Sequence, residues 1–268
     1  MCATCGCDSE AKVSIHRVTA TGLLNVENLN LIPLKESIPN VAVKRERKEI
    51  TLEQDVLLKN NLLAERNRGY FLAKEILALN LVSSPGSGKT SLLERTLQDL
   101  KSEENFFVIE GDQQTSNDAD RIASTGVPVV QINTGRGCHL DSEMISHAIK
   151  QLNLQNNSIL FIENIGNLVC PAMFDLGEQK RVVIISVTEG EDKPIKYPDM
   201  FQSSQLCIIN KIDLLPYLKF DLEALKKYGR KVNPAMEFIE LSCTSGEGLT
   251  QWYDWLKKEK LQEQSLLV

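Results

Sequence analysis

The 268-residue chain has no apolar run approaching the roughly 20 residues that span a bilayer. Its first residues, MCATCGCDSEAK, lack a basic stretch followed by an apolar one, so no secretory leader is expected. Positive charge is in deficit. The net charge of −6 argues against a nucleic-acid footprint and favours solubility. There is no internal repeat and no low-complexity tract. The seven cysteines, Cys2, Cys5, Cys7, Cys138, Cys170, Cys207 and Cys243, are an odd number without an export signal. A disulfide framework is therefore excluded in favour of a reducing, cytoplasmic setting with metal-binding or catalytic thiols. Apolar residues at 42 % and charged residues at 25 % are ordinary for a soluble globular protein.

Three zones follow. Residues 1–15 are a short cysteine-rich tail that cannot bury a core. Residues 16–76 are a connector and a helical region. Within them, residues 16–50 carry only brief apolar patches broken by Pro33 and Pro39, then the charged run Lys44–Glu49, read as a solvated helix start. A helix is expected from Thr51, whose spacing to Gln54 is that of a capping box, and Gly69 is a point where it could bend. Residues 77–268 alternate strand and helix. Strands are expected at 77–82, 106–109, 127–132, 159–162, 181–187, 206–209 and 237–241. Helices are expected at 90–100, 117–124, 142–152, 222–227 and 249–260. This alternation builds an α/β fold, a mostly parallel sheet flanked by helices in three layers, with ligands at the carboxyl ends of the strands.

The run Ser83-Ser84-Pro85-Gly86-Ser87-Gly88-Lys89-Thr90-Ser91 follows an apolar strand and opens a periodic helix, the context a phosphate loop requires. Gly86 and Gly88 let the backbone wrap phosphates. Lys89 would bridge the β and γ phosphates and Thr90 would hold Mg²⁺. Ser83 stands where the usual pattern has its first glycine. Asn210-Lys211-Ile212-Asp213 lies about 120 residues on, at another strand end. A carboxylate at Asp213 accepts from both guanine N–H groups, which adenine cannot match. Asn210 and Lys211 would brace the loop and cover the base. Ser242-Cys243-Thr244 would offer backbone on the base's other edge, with Cys243 itself packed. Asp112, ending one strand, is assigned to Mg²⁺ or to the attacking water. Glu163, ending another, is assigned to metal-bound water. Asp118 and Asp120 read as ordinary acidic residues at a helix start.

Two sulfur clusters stand out. Cys2, Cys5 and Cys7 form C-x-x-C-G-C, where three thiolates and the terminal amine can close around one ion. A square plane of sulfur and nitrogen suits Ni(II) or Cu(II), and tetrahedral sulfur suits zinc. Cys138 and His139 sit side by side on a glycine loop, in a chain with only three histidines, and Cys170 follows the Glu163 loop and could converge on them. That set leaves one open position, for water or a symmetry-related thiolate.

Together, the cysteine triplet, the phosphate loop, Glu110-Gly111-Asp112, Gly137-Cys138-His139-Leu140-Asp141, Glu163 through Pro171, Thr188 through Pro194 and Asn210-Lys211-Ile212-Asp213 resemble the hydrogenase-maturation nickel-incorporation GTPases, the HypB family. The resemblance covers the first seven residues and nearly all of 78–260. It implies a GTP-hydrolysing P-loop protein that dimerises with GTP and helps insert nickel into [NiFe]-hydrogenase. The implied partners are a second copy, an accessory nickel protein and the hydrogenase large subunit. It also implies a tight nickel site at Cys2, Cys5 and Cys7, and a zinc or nickel site at Cys138, His139 and Cys170 on the dimer interface. Lys193 and Lys196 would approach nucleotide across the dimer. Some members carry a histidine-rich storage stretch, which three histidines rule out here. The alternatives are a metal buffer whose nucleotide domain sets its assembly, and a urease-maturation GTPase. The latter typically shows Cys-Pro-His where this chain has Cys138-His139-Leu140.

Overall fold

The computed structural model describes residues 13–19, 22–23, 45–113 and 117–265. The triplet Cys2, Cys5 and Cys7 lies outside the described residues. One nine-stranded sheet organises the chain, in the order β2-β1-β5-β4-β6-β3-β7-β8-β9. The seven strands β3 (Leu77–Ser83), β4 (Phe106–Asp112), β5 (Val129–Asn133), β6 (Ile159–Glu163), β7 (Lys180–Ser186), β8 (Leu206–Asn210) and β9 (Glu237–Glu240) are the ones expected from the sequence. These seven run parallel to one another.

Parallel strands joined by helices are covered on both faces, and the residues show it. Leu77, Leu79 and Leu81 face one core, under α2 (Lys89–Leu100), α3 (Asn117–Ser124) and α8 (Leu249–Ser265). Ala78 faces the opposite core, shared with Phe71 of α1 (Arg45–Ala73) and with Ile145, Ala148 and Ile149 of α4 (Ser142–Leu152). A third cluster packs the β7–β8 end against α6 (Pro198–Gln202) and α7 (Leu222–Val232), with the short helix α5 (Lys193–Lys196) preceding them.

The N-terminal part corrects two expectations. Ser14–Thr19 is a strand, β1, paired antiparallel with β5 and with β2 (Gly22–Leu23). It straddles the boundary expected at residue 15, and Ile15 is buried in the core. A six-residue strand leaves almost no periodic signal, so pairing with β5 and β2 supplies what the pattern does not. The long helix starts at Arg45, within the charged run, so Thr51 is an interior residue and not a cap. It runs through Gly69 without interruption. A mid-helix glycine costs about 1 kcal/mol relative to alanine, which tertiary contacts along the helix offset.

Candidate functional site

The loop from β3 to α2 carries the phosphate motif. Gly86 and Gly88 adopt left-handed backbone, φ 77° and 94°. A Cβ on Gly88 would collide with the Asn210 amide, so only glycine fits there. Helix α2 starts at Lys89 and points its amino end into a cleft of about 510 Å³. The cleft is lined by the loop from Pro85 to Ser91 and by Glu110, Asp112 and Glu163. Exposed N–H groups, the helix dipole and Lys89 make this wall suited to phosphate.

Register puts the acidic wall opposite. Leu81 of β3 pairs with Glu163 of β6, and Glu163 pairs in turn with Glu110 of β4. Glu163 Oε1 accepts from Thr90 Oγ1 at 2.6 Å and from Lys89 Nζ at 3.3 Å. Its Oε2 is buried with no partner, as is Glu110 Oε2. Two orphaned carboxylate oxygens beside a threonine hydroxyl are a donor set that fits a hard divalent cation such as Mg²⁺. Asp112 lines the same cleft.

Glu110 was quoted in a motif but given no role by sequence reasoning. Burial, then the nearby Glu163 and Asp112 carboxylates, push its carboxyl up from the ordinary 4.5 to about 9. The folded chain therefore keeps a proton that the unfolded chain releases above about 4.5. Stability from this group is lost as pH rises through that window, by up to about 1.4 kcal/mol per unit. The Glu110→Gln variant should flatten the slope in urea unfolding followed across these pH values, in buffer without divalent cations. A slope equal to the parent's would mean that Glu110 ionises freely in the fold.

The base loop is tied to the phosphate loop by Asn210. Its Nδ2 donates to Ser87 O at 2.9 Å, and its Oδ1 accepts from the N–H groups of Lys211 and Cys243 at 2.7 and 3.3 Å. One amide thus joins the phosphate loop, Lys211–Asp213 and the loop of Ser242, Cys243 and Thr244. Lys211 takes a left-handed conformation, φ 65°, and donates through Nζ to Gly86 O at 2.7 Å. Asp213 follows in the 3-10 turn Ile212–Tyr217, and its Oδ1 is buried with no partner. A desolvated carboxylate oxygen of this kind favours a donor group that can reach it. Cys243 packs half-buried against the first core, and Cys207 is buried in β8.

The loop after β7 also supports the phosphate loop. Glu189 Oε1 accepts from Ser87 Oγ at 2.7 Å and from Ser186 N at 2.9 Å. Lys193 Nζ donates to Ser84 Oγ at 3.0 Å and pairs with Glu189, while Lys196 pairs with exposed Asp192. Lys193 is thus engaged with the phosphate loop of its own chain.

The thiols of Cys138 and Cys170 and the ring of His139 converge, with ligand atoms all within 4.8 Å of one another. Cys138 and His139 lie between β5 and α4, and Cys170 opens the 3-10 turn Cys170–Met173 after β6. Tetrahedral zinc ligands at about 2.0–2.3 Å stand roughly 3.3–3.8 Å apart, so small rotamer changes close the site. His139 is buried, stacks on Phe174 at 3.8 Å, and burial lowers its pKa to about 4. Its imidazole is neutral at ordinary pH, the ligating form. Gly111, between Glu110 and Asp112, makes room for Leu140, since a Cβ there would meet the Leu140 side chain at 2.8 Å. The strand that lines the phosphate cleft thus packs against the residue after His139.

The family model for the CobW/HypB/UreG nucleotide-binding domain matches residues 77–240. The hydrogenase maturation factor HypB of Escherichia coli K12 is 59 % identical over 215 residues, covering 80 % of this chain and 74 % of that protein. The crystal structure of HypB from Helicobacter pylori in complex with nickel superposes with a TM-score of 0.73 at 38 % identity, covering 76 % of this chain and 96 % of that one. HypB from Archaeoglobus fulgidus gives a TM-score of 0.71 at 38 % identity over 76 % and 99 %. The phosphate cradle, the base loop and the cysteine–histidine cluster all fall in the matched region, and this chain belongs to the HypB hydrogenase maturation factors within the CobW/HypB/UreG family.

Proposed function

We propose that this chain hydrolyses GTP to GDP and phosphate and uses the nucleotide state to control delivery of nickel during [NiFe]-hydrogenase maturation. Lys89 and the phosphate-loop backbone hold the triphosphate. Thr90, Asp112 and Glu163 hold Mg²⁺ and order the attacking water, with Mg²⁺ supplying charge neutralisation on the γ-phosphate. Asp213 selects guanine, braced by Asn210 and Lys211, with Ser242, Cys243 and Thr244 behind the base. Cys138, His139 and Cys170 take nickel or zinc as cargo. Cys2, Cys5 and Cys7 form a second nickel site. GTP favours a homodimer that places the two clusters at a shared interface, where a partner's ligand completes each site. The recipient is the hydrogenase large subunit, reached with an accessory nickel protein, in the cytoplasm.

The observation that carries this reading is the path from Glu163 to Cys170. Glu163 touches Thr90 and Lys89, and seven residues later the same loop delivers a metal-ligating thiol. Loss of the γ-phosphate changes what Glu163 binds, and the loop conveys that change to the metal. Coupling of two sites is reciprocal. Nickel affinity should therefore differ between the complexes with a GTP analogue and with GDP, read by competition with a chromophoric chelator. The Cys138→Ala and Cys170→Ala variants should each lose this nucleotide-sensitive fraction. Equal affinities in the two nucleotide states would remove the mechanism and leave a metal buffer.

A further inference from the structure

Helix α1 is hydrogen-bonded to both of the segments that follow the Cys138–His139 and Cys170 positions. In the described part of α1 the fully buried positions are 60, 64, 67 and 71, one stripe at helical spacing. A stripe packed on a core is served best by apolar side chains, yet two of these four are Asn60 and Asn67, 5 % and 3 % exposed. Each amide bridges the same two segments. Asn60 Nδ2 donates to Asp175 O at 2.8 Å, and its Oδ1 accepts from Ser142 N at 2.9 Å. Asn67 Nδ2 donates to Ser142 O at 2.9 Å and to Leu176 O at 3.1 Å.

Ser142 lies three residues after His139. Asp175 follows Phe174, the ring on which His139 stacks, and closes the segment begun by Cys170. The loop backbone meets the helix without a side chain between them. Gly177, at φ 88°, would carry a Cβ within 2.5 Å of Ala64 O. Arg68, next in the helix, donates to Glu178 O at 2.7 Å and pairs with Asp175. Direct links between the loops also exist, from Ser142 Oγ to Asp175 O and from Asn167 Nδ2 to Cys138 O. The helix adds a rigid ruler to them.

We infer that Asn60 and Asn67 are positioning residues for the metal site: their buried amides set the separation between the Cys138–His139 loop and the Cys170 loop. The inference rests on the reading of that cluster as a metal site. Amides fix both depth and register of the two backbones, whereas an apolar side chain of like volume would fill the space and leave the loops free to slide. Groups that orient metal ligands from behind typically change affinity by about 10–100-fold when removed.

The test uses the full chain with Cys2, Cys5 and Cys7 changed to serine, so that only the cluster binds metal. Asn60→Leu and Asn67→Leu keep volume and helix and remove the amides. Ni²⁺ and Zn²⁺ affinities should fall by about 10–100-fold, and the thiolate absorption of bound Co²⁺ should shift. GDP affinity, read on the same samples, should stay at the parent value. Should the leucine variants not fold, Asn60→Asp keeps the acceptor for Ser142 N–H, loses the donor to Asp175 O, and carries the same comparison. Folded variants that bind metal like the parent, with the same Co²⁺ spectrum, overturn the inference while the metal reading stands. A parent that binds neither metal, or binds equally after Cys138→Ala, overturns both.

Discussion

Changing Asp213 to asparagine is expected to exchange guanine for xanthine as the preferred base. The buried Oδ1 of Asp213 has no hydrogen-bond partner among the described residues. Guanine presents two N–H groups on one edge, N1–H and the exocyclic amine, and a carboxylate accepts both. An amide accepts one and offers a donor where guanine also has a donor, so the pair clashes. Xanthine keeps N1–H and carries a carbonyl in place of the amine, which matches the amide group for group. Sites built to hydrogen-bond a ligand group discriminate by as much as about 10⁴ when the match is lost. The geometry around Asp213 is set by Lys211 and Asn210, which the substitution does not touch. Competition between GDP and XDP should therefore invert, with GDP losing about 10²- to 10⁴-fold. Retained guanine preference in Asp213→Asn would place base selection elsewhere in the chain.

Lys89→Ala is expected to slow GTP hydrolysis by about 10²–10³-fold, the cost of removing one preorganised donor aimed at developing charge. Lys89 Nζ stands 3.3 Å from Glu163 Oε1, at the mouth of the cleft between the phosphate loop and the acidic wall. Phosphate oxygens arriving there meet the ammonium and the N–H groups of the loop together. The amino end of α2 remains in the variant, so nucleotide still binds, and the loss falls mainly on the chemical step. Single-turnover phosphate release at saturating GTP reads that step directly. The cluster of Cys138, His139 and Cys170 contains no atom of Lys89, so metal affinity in the GDP complex should stay at the parent value. A release rate indistinguishable from the parent's would remove Lys89 from the reaction, and maturation of a hydrogenase by the variant would favour the buffer reading over the timer.

Much of this was legible from the chain alone, for reasons of chemistry that act over short stretches. Gly86, Gly88 and Lys89 specify a loop conformation within six residues. The buried strands 77–83 and 206–210 announce themselves as near-continuous apolar runs because both faces are covered. Asp213 and Lys211 are read from spacing because a strand end fixes where a side chain projects. The strand at Ser14–Thr19 went unread because so short a segment carries no period, and the capping pattern at Thr51 put a helix start inside the helix that already begins in the charged run at Arg45. Glu110 went without a role because a carboxylate at a strand end is ordinary until its neighbours are known.

Local sequence determined the phosphate loop, the Asn210–Asp213 loop, the seven parallel strands and the candidate sulfur and imidazole ligands. Each of these is encoded by residues close in the chain. Only the tertiary structure decided that Glu163 meets Thr90 and that Cys170 meets Cys138 and His139. It alone aimed two asparagines of a remote helix at the segments beside both the Cys138–His139 pair and Cys170. Those meetings join residues 31 to 115 positions apart. They depend on strand order and register, which the packing of the whole sheet sets and no local pattern contains.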